Sequence, residues 1–599
     1  MTSKLLKVVD LLSVNDISAI NTEDGGEHAL HRINNKTTST VLSPPMVHSC
    51  QKIPLSPVYR LPPELLSIIF LQYTRQWHCE YSLSTSTAEI PRWVYVSYVC
   101  QYWRNIALNC SDLWTHLFFV SSRWMDELLR RSKTAPLIIH ADISCLRTDR
   151  AIRAIKPLIK ALGHMDRIQD LWISFPINIT AKVFAGLTCA RLTARPAPLL
   201  RSFHLSSQNR MEVRKDIFAG VMPCLREVHL EFCQVHWSSP IFNFALTELN
   251  LCRLTNHSEM DFHGLLLALR QLSSLRRLYL DGILPDAAMA NTRNMQPVPV
   301  KATLPRLEKI TLVDSVSRVS SLLDHLEFPQ STIVRLECTY LNTPDPVVFQ
   351  PFIRDRFGNH PSLPPSPVLC QPVFLRSLDI RRSGPWEDGW KVTCGTSNTY
   401  GANIHLLEGE AYQDVQFPLQ VEFVPMPGGG KIALHGIIAF IRTLPVAHLN
   451  MITLHGDNSY HNNQYLWTEV FKDAQELRVI RLECSDANPL ICALQPRNRA
   501  TFAYSLTDIE FKEVHFNQAA RNKRWSKWSH DHCESGCLYC LHDAVVSCAE
   551  VGNVIQRLCF DNCTGITKNY VTKLSELVGK VEWTPQMVKC AVLCLLCRY

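Results

Sequence analysis

The sequence lacks a hydrophobic stretch long enough to cross a bilayer. Its longest largely apolar stretches, residues 432–441 and 590–597, hold about ten and eight residues, whereas a membrane-spanning helix needs about twenty. The opening MTSKLLKVVDLLSV also lacks the continuous apolar core of a secretory signal, because Lys7 and Asp10 interrupt it. We therefore expect no membrane partner and a cytoplasmic and/or nuclear location.

A strong charge of either sign is missing as well. The 599 residues carry 61 Lys+Arg against 54 Asp+Glu, a formal net charge of +7. This field is too weak to indicate nucleic acid by itself. The chain is 46% hydrophobic, which is enough for a large core and excludes wholesale disorder.

The cysteines do not form the pattern of a disulfide framework. There are 23 of them, and without a secretory signal they are expected to be reduced thiols. Several stand singly in apolar segments, as Cys252, Cys338, Cys484 and Cys559 do. A free cysteine in such a place packs as a small hydrophobic residue.

Catalytic motifs are missing too. Neither H-E-x-x-H nor G-x-S-x-G occurs, and the GGGK of residues 428–431 is followed by Ile432 where a phosphate-binding loop needs Ser or Thr. We therefore predict a protein that is not an enzyme and has no cofactor. A catalytic triad scattered along the sequence stays open as an alternative.

The most specific pattern lies in residues 54–120. Pro62 and Pro63 come before an apolar helical face, and proline is favoured in the first turn of a helix because its missing N–H would be unpaired there. After a polar connection, residues 76–92, a second apolar helical face and the segment SDLW (111–114) follow. The sequence thus predicts two helices, followed by a short segment that adds a capping residue and two more apolar side chains.

This arrangement resembles the F-box, a three-helix unit that docks on a Skp-type adaptor within cullin-based ubiquitin ligases. The resemblance covers about residues 57–118, a tenth of the chain, and the insert at 76–92 is typical of a fungal-type version. An ordinary buried helical hairpin is the alternative. The residues that carry the resemblance are Leu61-Pro62-Pro63-Glu64-Leu65-Leu66, Ile69-Phe70, Val96, Val99-Cys100, Trp103-Arg104, Ile106-Ala107 and Leu113-Trp114.

One pattern, apolar–x–x–apolar–x–apolar, recurs along the rest of the chain. Most intervals lie within or just above the spacing of about 20–29 residues that leucine-rich repeats have. The matches are Ile168/Leu171/Ile173, Leu200/Phe203/Leu205, Leu225/Val228/Leu230, Leu246/Leu249/Leu251, Leu275/Leu278/Leu280, Leu307/Ile310/Leu312, Ile333/Leu336/Cys338, Leu375/Leu378/Ile380, Leu449/Ile452/Leu454, Leu477/Ile480/Leu482, Leu506/Ile509/Phe511 and Ile555/Leu558/Phe560.

Each match predicts a short strand, and apolar-periodic return segments follow some of them, at 264–272, 317–326 and 435–444. A single such unit cannot bury its apolar face, but a stack shares one core. The long interval between Leu378 and Ile452 holds further strand-like material at Leu419/Val421/Phe423. The last match resembles the cysteine-containing repeat of F-box proteins, with Leu558, Phe560, Cys563 and Ile566 in core-facing slots.

The predicted fold class is therefore α/β: an N-terminal three-helix F-box followed by a leucine-rich-repeat-like α/β solenoid. Another α/β architecture that matches the pattern by chance is the alternative. The predicted domains are a flexible leader (1–53), the F-box (54–120), the solenoid with insertions (121–583) and a C-terminal apolar tail (584–599).

Two clusters suggest other chemistry. Cys533, Cys537, Cys540 and His542, with His530 or His532 as substitutes, offer the S and N donors that tetrahedral Zn²⁺ prefers. All lie within thirteen residues and no distant second pair exists, so we predict no metal and keep zinc as a weak candidate.

The segment RNKRWSKW (521–528) interleaves basic residues with Trp525 and Trp528. That composition suits single-stranded nucleic acid or an acidic peptide. Charge runs are usually solvated loops, so we predict no nucleic-acid partner and leave open a recognition loop for a protein.

The resemblance implies a substrate-receptor subunit of a Skp–cullin–F-box (SCF) ubiquitin ligase complex. Its partners would be a Skp-type adaptor, through it a cullin, and an unknown protein substrate destined for ubiquitin-dependent degradation. The rival interpretations are a protein-interaction scaffold that never joins a ligase and, less favoured, a zinc-binding module at 530–542. The predicted adaptor-binding residues are Leu61, Pro62, Leu65, Leu66, Ile69, Val99, Trp103 and Trp114.

Overall fold

The structure is a computed structural model of the chain. It describes residues 61–81, 92–117, 122–144, 148–175, 188, 190–207, 211–254, 262–284, 301–340, 346–357, 374–383, 388–396, 417–425, 435–456, 466–472, 474–495, 505–516, 538–550 and 552–585. The chain divides into two units, Met1–Ile241 and Phe242–Tyr599. Helices and strands alternate in both units, so the predicted α/β class is confirmed. The predicted domain boundaries stay predictions.

The first unit begins with helices and continues with parallel strands. Its α-helices are α1 (Pro63–Tyr81), α2 (Gln101–Asn109), α3 (Ser122–Arg131) and α4 (Thr148–Leu162), and its 3₁₀ helices are Arg92–Tyr98, Ser111–Trp114, Met165–Arg167 and Ile217–Gly220. Its strands are β1 (His116–Leu117), β2 (Leu137–Asp142), β3 (Ile168–Phe175), β4 (Ser202–Ser207), β5 (Glu212–Val213), β6 (Glu227–Glu231) and β7 (Gln234–Val235). Strands β1, β2, β3, β4 and β6 pair in that order, all parallel, and β5 pairs with β7.

The second unit contains the remaining elements. Its helices are α5 (Phe262–Gln271), α6 (Val316–Asp324), α7 (Gln350–Phe357), α8 (His435–Ile441), α9 (Asn488–Leu494), α10 (Leu538–Glu550) and α11 (Lys568–Ser575), with 3₁₀ helices Pro346–Phe349 and Val446–His448 and a π-helical turn Leu466–Val470. Its strands are β8 (Glu248–Cys252), β9 (Arg277–Asp281), β10 (Ala302–Thr303), β11 (Lys309–Ser315), β12 (Leu326–Glu327), β13 (Ile333–Tyr340), β14 (Ser377–Ser383), β15 (Gly389–Gly395), β16 (Leu419–Pro425), β17 (Met451–His455), β18 (Val479–Glu483), β19 (Asp508–Lys512), β20 (Arg557–Cys563) and β21 (Lys580–Pro585).

The sheet of the second unit departs from sequence order at one place. Its strands run β8, β9, β11, β13, β16, β15, β14, β17, β18, β19, β20, β21. All neighbours are parallel except β15, which is antiparallel to both β14 and β16. The strand-like material at 419–423 is therefore a strand, β16. Because β15 lies between β14 and β16, these two strands stand in the sheet in the reverse of their chain order.

The strands form at the matches to the repeated apolar pattern. Each of the twelve predicted strands exists, and the return segments predicted at 264–272, 317–326 and 435–444 coincide with α5, α6 and α8. One frame is wrong. Ile310 pairs with Val334 and not with Leu336, which pairs with Leu312. Because Val334, Leu336 and Cys338 are all buried along this longer strand, its apolar period fits two frames equally well.

A left-handed residue recurs two positions after the last inward-pointing strand residue. Its φ lies between 46° and 83° at seven places: Phe232, Arg253, Gly282, Gly456, Cys484, Glu513 and Asn562. At five of these places the backbone N–H of this residue donates to a carbonyl of the next strand, for example from Cys484 to Lys512 at 3.0 Å and from Glu513 to Asp561 at 2.9 Å. Successive strands therefore end in the same conformation and bond in the same way.

The residue after this left-handed position satisfies buried carbonyls in three strands. The Cys563 Sγ donates to Phe511 O at 3.2 Å and to Asp561 O at 3.4 Å. The Ser485 hydroxyl makes the equivalent pair of bonds in its own strand end, and so does the Cys233 thiol. Burial raises the pKa of both Cys233 and Cys563 to about 12, so these thiols act as neutral hydrogen-bond donors.

Gly565, which follows β20, and Gly552, which follows α10, allow a matched test of how closely the backbone approaches Gly565. Both have positive φ, +81° and +88°, but a Cβ on Gly565 would clash with the Phe516 carbonyl oxygen, while nothing lies within 4 Å of one on Gly552. We expect Gly552→Ala to cost about 1 kcal/mol from backbone strain alone. Gly565→Ala should cost about 3 kcal/mol or more, because a backbone carbonyl has to move. Urea unfolding of both variants measures this, and equal losses would contradict the close approach.

Candidate protein-docking surfaces

The first surface belongs to α1, α2 and the two short 3₁₀ helices beside them, Arg92–Tyr98 and Ser111–Trp114. Aromatic side chains form their interior. The Phe70 and Trp103 rings lie 5.0 Å apart, and Trp93 meets Trp114 edge to face at 5.3 Å. These rings are buried, so the helices share a core of their own.

Hydrogen bonds fix these helices relative to one another. The Tyr102 hydroxyl donates to the Leu61 carbonyl at 2.8 Å, which ties the start of α1 to α2. The Trp114 indole N–H donates to the Ala107 carbonyl at 2.8 Å. Cys100 caps α2, since its Sγ accepts from the Trp103 backbone N–H at 3.4 Å.

These helices also expose aliphatic side chains. Leu65 is 48% exposed and Ile68 is 61% exposed, one turn apart on α1, and Val99 is 39% exposed at the entry to α2. Ten large hydrophobic side chains are exposed among the described residues, and four of them, these three and Tyr98, lie between residues 61 and 117. We name Pro62, Leu65, Ile68 and Val99 the apolar helix face.

The predicted adaptor-binding residues divide between this face and the interior. Pro62, Leu65 and Val99 are exposed and Leu61 and Ile69 are half-buried, whereas Leu66, Trp103 and Trp114 are buried. The last three hold the helices together, because their side chains already pack inside the chain. Ile68 was not among the predicted residues, because the core-facing period of α1 leaves its position to solvent. An apolar residue at such a position is the signal that could have identified it.

The second surface is the polar face of strands β17 to β21. Alternate residues of these strands point away from the core, and a cleft of about 800 Å³ lies over them. One row across the sheet reads Thr453, Arg481, Glu510, Cys559 and Glu582. The cleft is therefore lined mainly by charged side chains.

Ion pairs organise this cleft. Glu510 pairs with Arg481 and, at 2.5 Å, with Arg557, which also meets Glu582 at 2.8 Å. Burial alone would raise the pKa of Glu510, but its hydrogen bonds with Arg481 and Arg557 outweigh burial and lower it. Burial raises the pKa of Cys559 to about 11, so its thiol stays protonated at neutral pH. The arrangement suits polar recognition.

The third surface is a row of aromatic rings on the outward face of the first unit. His140, Trp172, His204 and His229 stand opposite one another on β2, β3, β4 and β6. Their ring centroids are separated by 5.3, 4.8 and 3.9 Å, and His204 stacks on His229 with planes 8° apart. We call these four residues the aromatic ladder.

Burial, together with the charges of His229 and His140, lowers the pKa of His204 to about 3. The ladder is therefore neutral at His204 under physiological conditions. This row was not predicted, although Trp172, His204 and His229 each follow the middle apolar residue of a repeat. Aligning the repeats on that position would have revealed it.

Most residues of the remaining candidate sites lie outside the described part of the chain. His530, His532, Cys533 and Cys537 lie outside the described residues, as do 521–528 and 428–431, while Cys540 and His542 are half-buried on α10. No three His, Cys, Asp or Glu side chains of the described residues are arranged to hold a metal ion. None of the helices in the described residues is long and apolar enough for a membrane span.

A scan against protein-family models gives no match, and a search of curated proteins gives none either.

The depressed pKa of His204 predicts how the first unit responds to acid. The folded state keeps this ring neutral down to about pH 3, whereas an unfolded histidine protonates near pH 6.5. Stability is therefore complete above about pH 6.5 and falls as the pH drops, by up to about 1.4 kcal/mol per pH unit. We expect His204→Phe to flatten this dependence in urea unfolding between pH 5 and 6.5.

His263 on α5 is exposed, so His263→Phe serves as the control. A slope that is the same in the His204→Phe variant and the original chain would contradict a neutral buried ring.

Proposed function

We propose that this chain is the substrate-receptor subunit of a Skp–cullin–F-box ubiquitin ligase. Its N-terminal helices act as an F-box that binds a Skp-type adaptor, and the strand array acts as a leucine-rich-repeat-like solenoid that binds the target protein. The observation that carries this proposal is the apolar helix face, which stays exposed although the same helices bury three tryptophans.

The apolar helix face suits a docking surface because of what its exposure costs. Each aliphatic side chain gains about 1.5–3 kcal/mol when it leaves water, and a few such anchors at the centre of an interface dominate binding. The helices beneath are already fixed by the Tyr102 and Trp114 hydrogen bonds. Binding therefore requires little further ordering, which favours affinity.

The solenoid interpretation is supported by the regularity of the strands. Neighbouring strands pair in parallel with equivalent residues opposite each other, as in Ile452, Ile480, Ile509 and Leu558. The recurrent left-handed residue gives them a common ending. A stack of units that share one core is how repeat proteins bury apolar faces that no single unit could bury.

In this function the chain performs no covalent step. It holds a target close to the ubiquitin-charged enzyme that the cullin recruits, so that a target lysine experiences a high effective concentration of the donor. The polar strand face supplies a long binding surface for this purpose. Cytoplasm and/or nucleus are the compartments in which such complexes act.

Removing the apolar helix face tests the proposal. Leu65→Ala with Ile68→Ala deletes two exposed anchors, and truncation of a true anchor costs about 2 kcal/mol, roughly thirtyfold in affinity. We expect the double variant to lose co-purification with the Skp-type adaptor, and Leu61→Ala with Pro62→Ala to do the same. Circular dichroism should be unchanged, because Leu65 and Ile68 are exposed.

Leu199→Ala with Val221→Ala is the matched control. These two residues of the same unit are 41% and 48% exposed and lie outside the N-terminal helices, so adaptor binding should persist. Undiminished co-purification of a folded Leu65/Ile68 double variant would refute the F-box assignment.

A scaffold that never joins a ligase is the second candidate. It is favoured by the cleft over β17 to β21 and by the aromatic ladder, since both belong to the strand array and need no adaptor. A pull-down separates the two functions: we expect the cullin to be retained together with the adaptor. Retention of the adaptor without the cullin would favour the scaffold.

A further inference from the structure

The aromatic ladder is bordered on both sides by carboxylates. The row on one side reads Ile138, Asp170, Ser202 and Glu227 across β2, β3, β4 and β6. The row on the other side reads Asp142, Ser174, Ser206 and Glu231. The rings are only partly covered: His140 is exposed, and the other three are half-buried.

Ser202 leaves a gap in the first of these rows. Its short side chain stands between Asp170 on β3 and Glu227 on β6, whose backbones are about 10 Å apart because adjacent strands are spaced by about 4.8 Å. His204 lies two residues further along the same strand and on the same face, beside Trp172. The gap is therefore bounded by two carboxylates and by the ring row.

The charges around this gap do not balance. Burial and the negative charge of Glu227 raise the pKa of Asp170, while Arg201 counteracts them. Two carboxylates, those of Asp170 and Glu227, are thus opposed by one guanidinium, that of Arg201, and Arg201 is exposed. In the other row Glu231 accepts from the Ser206 hydroxyl at 2.8 Å and Asp142 accepts from Ser144, so their oxygens are already engaged and are less available to a ligand.

This chemistry selects a cation with a flat face. Arginine stacks on aromatic rings and bonds carboxylates through two N–H groups at once, whereas lysine is a compact, strongly hydrated charge. Nucleic acid is disfavoured, because its phosphates would face Asp170 and Glu227.

We infer that this face binds a target segment through an arginine side chain seated over Ser202, between Asp170 and Glu227 and against Trp172 and His204. This inference rests on the proposed function, because it specifies which class of target segment the repeat domain takes.

The test uses fluorescein-labelled nonapeptide libraries with identical degenerate Gly/Ser/Ala flanks and a fixed central residue. We expect the full-length chain to bind the arginine library at least tenfold more tightly than the citrulline library, which keeps the shape and removes the charge, as measured by anisotropy. The lysine library should bind more weakly than the arginine library.

Two variants of opposite effect address the site itself. Asp170→Asn with Glu227→Gln should weaken binding of the arginine library at least tenfold, because it removes both partners of the guanidinium. Arg201→Ala should strengthen it several-fold by removing the competing cation, and Arg201 is exposed, so this change leaves the core intact. Glu248→Gln with Glu308→Gln removes the same charge from the second unit and should leave binding unchanged.

Equal binding of the arginine and citrulline libraries, absence of binding to either, or indifference to both site variants would overturn the inference. Adaptor co-purification distinguishes this failure from failure of the proposed function. The Asp170/Glu227 variant should keep the adaptor, and the Leu65→Ala/Ile68→Ala variant should keep the arginine library.

Discussion

Burial of one side of the strands is the constraint on which the rest of this structure depends. Inward residues such as Ile480 and Leu482 meet their equivalents on the neighbouring strands and leave water together, which is the dominant favourable term in folding. The alternate residues are thereby forced outward in straight rows. The aromatic ladder is one such row, and Arg481, Glu510, Cys559 and Glu582 form another, so the core decides where each of these side chains stands.

The N-terminal helices solve a different problem, namely how to remain folded while exposing aliphatic residues. Their interior is aromatic: Phe70, Trp93, Trp103 and Trp114 are buried against one another, and such pairs contribute beyond the area they bury. Because these rings supply the stability, Leu65 and Ile68 are not needed inside. Exposed aliphatic side chains, which are costly by themselves, are thus compatible with stable helices.

The sequence predicted the strands well, because an apolar residue at every second position in a strand has to face a core. It predicted less where the deciding interaction lies between distant segments. The order β16, β15, β14 depends on a chain reversal with no local signature. Five of the seven left-handed positions are not glycine, so composition does not mark them. Trp103 and Trp114 look equally suited to an interface and to an interior, and only packing distinguishes the two.

The reversed strand β15 has a consequence for the integrity of the second unit. Strands β13 and β17 are joined through β16, β15 and β14, and all three come from residues 377–425. Loss of that stretch would leave unpaired N–H and C=O groups along sheet margins that are normally occupied, and such margins recruit other chains into aggregates. The extra residues in this long repeat interval therefore hold the strands on either side in one sheet, and without them β13 and β17 would each become an edge strand.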